Sequence, residues 1–203
     1  NQFLESINKT TMLIITIKQG KEKSLLEGDP WIYLSAIERV DGKFHEKMKF
    51  GATCLVRSSK GEFLARAGWS PKSQIRARVW TFDESEAVDH AMFKRRIQTA
   101  LAKRLPLNAK PGKPQRLINA EEDKLPGLIV EYHAIQAGFL ACQFQAAGVD
   151  AWKVAIVKTL IAETGCANVY EHTDYLVRKG EGLSGGAGVL AGDEPPADLS
   201  DIH

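Results

Sequence analysis

Apolar and polar residues alternate in short runs through the first eighty positions. Residues 13–17, Leu-Ile-Ile-Thr-Ile, read as a strand. Residues 20–27 read as a short basic helix, closed by Gly28 with Pro30 just beyond. Residues 35–40 read as a second strand, ending in the Asp41-Gly42 turn. Residues 52–57 and 62–68 flank Ser58-Ser59-Lys60-Gly61, a hairpin signal. Residues 75–82 alternate strictly. Ile75, Ala77, Val79 and Thr81 fall on one face, and Arg76, Arg78, Trp80 and Phe82 on the other. That is a half-exposed strand with two arginines on one side. Residues 12–82 therefore read as a small, mostly β domain of five or so strands and one short helix.

The pattern then lengthens. The acidic stretch 83–89 reads as a linker whose carboxylates suit the start of a helix. Residues 90–105 follow with helical period, placing Phe93, Ile97, Ala100 and Leu101 on one face. A loop at 106–114 leads to strands at 116–119, 128–133 and 139–144, with a turn at 121–124. Residues 148–164 read as one amphipathic helix burying Val149, Trp152, Ile156, Leu160 and Ile161, capped by Gly165. Residues 168–172 return as a strand. Six glycines between 180 and 192, with Pro195-Pro196 beyond, have a linker composition. The fold class expected is α+β. A small barrel-like β domain precedes an α+β domain at 83–192, with a mainly antiparallel sheet and two helices. Residues 193–203 read as the start of a linker to a further domain. Residues 1–11 read as a tail or vector-derived segment, with Met12 as the natural start.

Composition narrows the class. The chain has 203 residues, 44% hydrophobic and 26% charged, which excludes wholesale disorder. Its apolar runs are too short to span a bilayer, and no secretory leader pattern is present, so a cytoplasmic protein is expected. Cys54, Cys142 and Cys166 share no metal or redox spacing and read as reduced, buried thiols. The net charge of +2 conceals an asymmetry. Residues 12–82 carry 13 Lys and Arg against 7 Asp and Glu, a net of +6. Residues 83–116 carry a net of +4, and residues 117–203 a net of −8. A basic front half suits a polyanion partner.

Four ordered stretches carry a resemblance. They are Gly20-Lys-Glu-Lys-Ser-Leu with Asp29-Pro-Trp-Ile-Tyr; Ser70-Pro-Lys-Ser-Gln-Ile-Arg-Ala-Arg-Val; Glu121-Glu-Asp-Lys-Leu-Pro-Gly-Leu-Ile-Val-Glu-Tyr; and Val169-Tyr-Glu-His-Thr-Asp with Val177-Arg and Glu181-Gly-Leu. Together they resemble the N-terminal half of the bacterial 23S rRNA (cytosine-5-)-methyltransferases. The resemblance implies a PUA domain at 12–82, a small RNA-binding module, and a central α+β domain at 83–192. It places S-adenosylmethionine binding and the cysteine nucleophile in a Rossmann-like domain missing from this chain. It implies 23S rRNA and that catalytic domain as partners, no cofactor held by this chain, and S-adenosylmethionine for the parent protein.

The residues themselves offer no catalytic constellation. Gly186 and Gly188 give GxG, but Ala191 stands where the third glycine of a dinucleotide loop belongs. Asp193-Glu194-Pro-Pro reads as linker, and the five histidines lack ligand or triad spacing. Glu171 and Asp174 form the best polar cluster of the acidic half, with a face toward a catalytic domain and a solvated strand end as alternatives. RNA recognition needs cations for phosphates and flat side chains for unstacked bases. Trp31, Tyr33, Trp69 and Trp80 supply flat groups, Trp31 reading as core. The expected RNA contacts are Gly20, Lys21, Lys23, Arg66, Trp69, Lys72, Arg76 and Arg78. Two readings follow. One is the RNA-binding portion of an rRNA methyltransferase. The other is a complete, non-enzymatic adaptor that binds RNA or protein. A homodimer is compatible with either.

Overall fold

A computed structural model describes residues 12–200. The chain divides into two compact units after Val88. The first contains β1 (Leu13–Ile17), α1 (Lys23–Leu26), β2 (Trp31–Tyr33), β3 (Ile37–Asp41), α2 (Phe44–Lys47), β4 (Thr53–Arg57), β5 (Phe63–Trp69) and β6 (Ile75–Thr81). Its six-stranded sheet runs β2-β6-β5-β4-β1-β3. The β1–β4 pair is parallel and the other pairs are antiparallel. Period-two patterning puts Leu13, Ile15 and Ile17 in the core beside Cys54 and Val56. Ala65, Ala67 and Ala77 are also fully buried there. Such small residues on the inner face leave room for Leu25, Ile32 and Trp69.

The hairpin between β4 and β5 is built as its residues predict. Gly61 takes φ +87°, where a side chain would be strained. The Ser58 hydroxyl accepts from the Glu62 amide at 3.2 Å. The first unit extends past residue 82 because Arg66 reaches over the next residues. Its guanidinium donates to the carbonyls of Asp83, Glu84 and Glu86 at 3.4, 2.6 and 3.1 Å. The acidic stretch is thus held to the sheet up to Glu86.

The second unit contains α3 (His90–Ala102), β7 (Gln115–Asn119), β8 (Leu128–His133), β9 (Phe139–Phe144), α4 (Ala147–Ala151), α5 (Lys153–Thr164), β10 (Val169–His172), α6 (Tyr175–Gly180), β11 (Ala187–Ala191) and α7 (Ala197–Ser200). The sheet order is β11-β10-β9-β8-β7. Only β9 and β10 pair in parallel, joined by the α4–α5 crossover. The unit is α+β with a mainly antiparallel sheet, as the pattern predicts. Its two long helices, α3 and α5, pack against each other. Asp89 caps α3 by accepting from the Met92 amide at 2.9 Å. Gly165 closes α5 at φ +73°.

Four expectations are corrected. The helix expected at 20–27 shrinks to one turn, α1, and β2 and the 3-10 turn Leu34–Ala36 precede β3. The helix expected at 148–164 breaks at Trp152, whose ring lies 4.6 Å from that of Phe93 on α3. The supposed glycine linker at 180–192 contains β11, paired antiparallel with β10. Residues beyond 192 are also tied down. The Asp193 amide donates to Asn168 Oδ1 at 2.9 Å, and Leu199 packs with Phe139 and Tyr170. The expected tail at 1–11 and residues 201–203 lie outside the described residues.

Candidate nucleic-acid interface

The expected contacts separate into two groups. Lys21 and Lys23 lie exposed at and before α1, and Gly20 is exposed at φ +84°. Lys72 is exposed in the turn that enters β6. Arg76 and Arg78 are half-buried and alternate with Ala77 and Val79, which point into the core. They therefore project from the outer face of β6. The Arg76 Nε–H donates to the Ser73 carbonyl at 2.9 Å. This bond, with the Trp69 ring 5.9 Å from the guanidinium, anchors the side chain, and its terminal nitrogens are the groups a phosphate would meet.

β2 lies at the sheet edge beside β6. Trp31 stands opposite Arg78 in the ladder, and Tyr33 stands opposite Ile75. Ile32 points inward and is 2% exposed, so Trp31 and Tyr33 share the outer face with the two arginines. The Arg78 guanidinium lies 5.0 Å from the centroid of the Trp31 ring. The Trp31 and Tyr33 rings meet edge to face at 6.4 Å. Trp31, which reads as core from the sequence, is half-buried on this outer face instead.

Two expected contacts are committed to the fold. Trp69 lies opposite Ala77 on the inner face, is 4% exposed, and donates its indole N–H to the Lys47 carbonyl at 2.8 Å. No base can reach it. Its alternation with Ala65 and Ala67 is the signal that places it inside. Arg66 is on the outer face, but its guanidinium is occupied by the three carbonyls at 83–86 and lies over the Phe63 ring.

The polar residues of the second unit also build structure. Glu171 is 4% exposed and receives the Lys153 ammonium at 2.6 Å and the Thr173 hydroxyl at 2.9 Å. Arg178, also 4% exposed, donates to Asp150 and to the carbonyls of Phe144 and Ser184. Asp174 caps α6 by accepting from the amides of Leu176 and Val177. Glu171 and Asp174 are thus a core ion pair and a helix cap, and they form no joint site. All three cysteines are buried. Burial pushes the Cys54 thiol up to about 12 and raises Cys142 further. Among the described residues, no group of three or more His, Cys, Asp or Glu is arranged to hold a metal.

Comparison with known proteins bears on the first unit directly. Residues 15–82 match the PUA-like domain. Over the longer span, the chain is 42% identical across 186 residues to ribosomal RNA large subunit methyltransferase I of Aliivibrio fischeri. That match covers 91% of this chain and 45% of the relative. It is 44% identical to the protein of the same name from Photobacterium profundum, covering 90% and 45%. The chain thus spans a little under half the length of these relatives. A candidate SAM-dependent methyltransferase of known structure from Streptococcus mutans superposes with a TM-score of 0.69 at 16% identity. It covers 91% of this chain and 44% of that one. A second structure, a methyltransferase candidate complexed with SAH, gives 0.67 at 16% identity. At these identities the structures speak for the fold.

Proposed function

We propose that this chain is the RNA-binding portion of an S-adenosylmethionine-dependent methyltransferase that acts on a cytosine C5 of 23S rRNA in the cytoplasm. The observation that carries the reading is the outer face of β6. There, on a PUA-like domain, Arg76 and Arg78 stand beside an aromatic pair, with Lys72 at the strand entrance. Cations that grip phosphates and planar groups that meet bases are what single-stranded RNA requires. The names of the relatives supply the reaction class.

The methyl donor is assigned to the parent protein and not to these residues. The glycine-rich stretch that could have cradled it is used in β11 and its turn. Gly192 lies so close to Asn168 that an added Cβ would collide with it. That is close packing of chain on chain, with no strand–turn–helix cradle for a nucleoside. No chemical step is assigned to this chain, and its part is to hold the substrate.

Fluorescence anisotropy with a 23S rRNA hairpin tests the reading at low and physiological salt. Binding is expected to fall steeply with salt. Lys72→Gln and Arg76→Gln should each weaken it and reduce the salt slope by about one unit. Salt-independent binding, or none, refutes the proposal. RNA binding by the full-length parent without methyl transfer would favour the adaptor reading.

A further inference from the structure

The outer edge of the first sheet holds a feature that phosphate binding leaves unexplained. A site for phosphates alone needs only cations, and Lys21, Lys23 and Lys72 already supply them in the open. Yet this edge also keeps planar groups together in the same place. Trp31, Arg78 and Tyr33 sit next to one another, the guanidinium over one ring and the second ring against the first. Tyr33 is 45% exposed and borders Leu34, which is 42% exposed. An exposed aromatic at the C-terminal end of a three-residue edge strand contributes little to a core. Its inward neighbour, Ile32, already fills that part of the interior.

The placement is also directional. The Leu34 amide donates to the Gln74 carbonyl at 3.0 Å, and the Ser70 amide to the Arg76 carbonyl at 2.8 Å. These bonds put Tyr33, the start of β6 and the Lys72 turn at one end of the β2–β6 pair. A strand of RNA whose phosphates meet Lys72 and Arg76 would therefore present its bases toward Tyr33. Trp31 cannot serve equally well, because Arg78 lies over its ring.

We propose that Tyr33 is the stacking platform for one unpaired nucleobase, with the Trp31–Arg78 stack as its rigid wall. The site thus selects looped or single-stranded RNA over duplex. A paired base keeps both faces stacked inside its helix and offers none to a side chain, whereas an unpaired base does. Loss of one base–aromatic stack of this kind weakens binding by roughly tenfold or more. The inference rests on the RNA-binding reading and adds a base subsite to it.

The test uses this chain with two RNAs of equal length and charge, one a hairpin with an unpaired loop and the other a blunt duplex. A 2-aminopurine in the loop reports stacking by quenching. The hairpin is expected to bind at least tenfold more tightly, with quenched loop fluorescence. Tyr33→Ala should abolish both the preference and the quenching, bringing hairpin affinity down to the level of the duplex. Tyr33→Phe, which keeps the ring, should retain both. Equal binding of hairpin and duplex by the unaltered chain overturns the stacking site but leaves the phosphate-binding reading standing. A preference that survives Tyr33→Ala overturns the assignment to Tyr33. Absence of binding to either RNA overturns both proposals.

Discussion

Replacing Arg178 with methionine should loosen the second unit selectively. Methionine keeps much of the aliphatic volume that packs over Gly186, whose added Cβ would lie 3.1 Å from Arg178 Cγ. What is lost is the charge and its donors. Asp150 loses one of its two cationic partners, and Glu171 loses a guanidinium 3.6 Å away. The carbonyls of Phe144 and Ser184 lose the donors that reach them. Removing one member of a buried ionic network costs about 3–5 kcal/mol. Lys153 remains on Glu171 at 2.6 Å and on Asp150 at 2.9 Å, which holds the loss near the lower bound. A loss of about 3 kcal/mol raises the opening constant roughly a hundredfold. Hydrogen exchange by mass spectrometry reads this locally. Amides of β9 and β10 should exchange roughly a hundredfold faster, and those of β4 and β5 should not change. An acceleration under about tenfold, or equal acceleration in both units, would refute the view of Arg178 as the centre of a local network.

Three further outcomes follow from the same geometry. Trp69→Phe leaves a smaller ring in a buried site and deprives the Lys47 carbonyl of its indole donor, so it should lower stability by about 2–4 kcal/mol in urea unfolding. The native chain at pH 8 should react negligibly with a thiol reagent at Cys54, whose thiol is pushed up to about 12, and should react fully once unfolded. Burial lowers His133 below its ordinary value of 6.5, partly opposed by Glu131, so the folded state favours the neutral ring. Its share of stability is present above pH 6.5 and lost as the pH falls through that value toward the folded one. An NMR titration should place the His133 midpoint below 6.5, and His133→Gln should flatten the acid side of the stability profile.

The strands that were legible in the sequence are those whose own residues alternate. Leu13, Ile15 and Ile17, or Ala77 and Val79, announce an inner face without help from elsewhere. The elements that were not legible depend on distant partners. β2 is only three residues long and exists because β6 pairs with it across more than forty positions. The apolar period runs unbroken through 148–164, yet the helix stops at Trp152, which stacks on Phe93. The six glycines between 180 and 192 read as a linker composition. At Gly186 and Gly192 the glycine instead allows close approach to Arg178 and Asn168. The candidate interface shows the same division. Lys21, Lys23, Lys72, Arg76 and Arg78 could be found as surface cations on a patterned domain. The commitment of Arg66 to three carbonyls at 83–86 could not, because main-chain acceptors carry no sequence signature.

Charge counted along the chain overstates the polarity of its surface. The net of −8 over 117–203 includes Asp123, Glu171 and Glu181, which are all buried. Asp123 accepts from Arg104 at 2.9 Å, Glu171 from Lys153, and Glu181 from the Ala147 amide at 3.0 Å. These carboxylates spend their charge inside the unit and cannot repel or recruit a partner outside it. The basic half is discounted in the same way. Arg39 pairs with Asp41 at 2.9 Å, and Arg66 is spent on the residues after β6. What distinguishes the first unit is therefore where the cations of one turn and strand stand. Lys72, Arg76 and Arg78 follow one another along a single turn and strand, beside a sheet edge bearing two aromatic rings. A random excess of lysine would bind RNA weakly and without regard to its structure. On the proposed reading, a row of cations with planar neighbours favours an unpaired strand, and that difference is what the paired hairpin and duplex measurements detect.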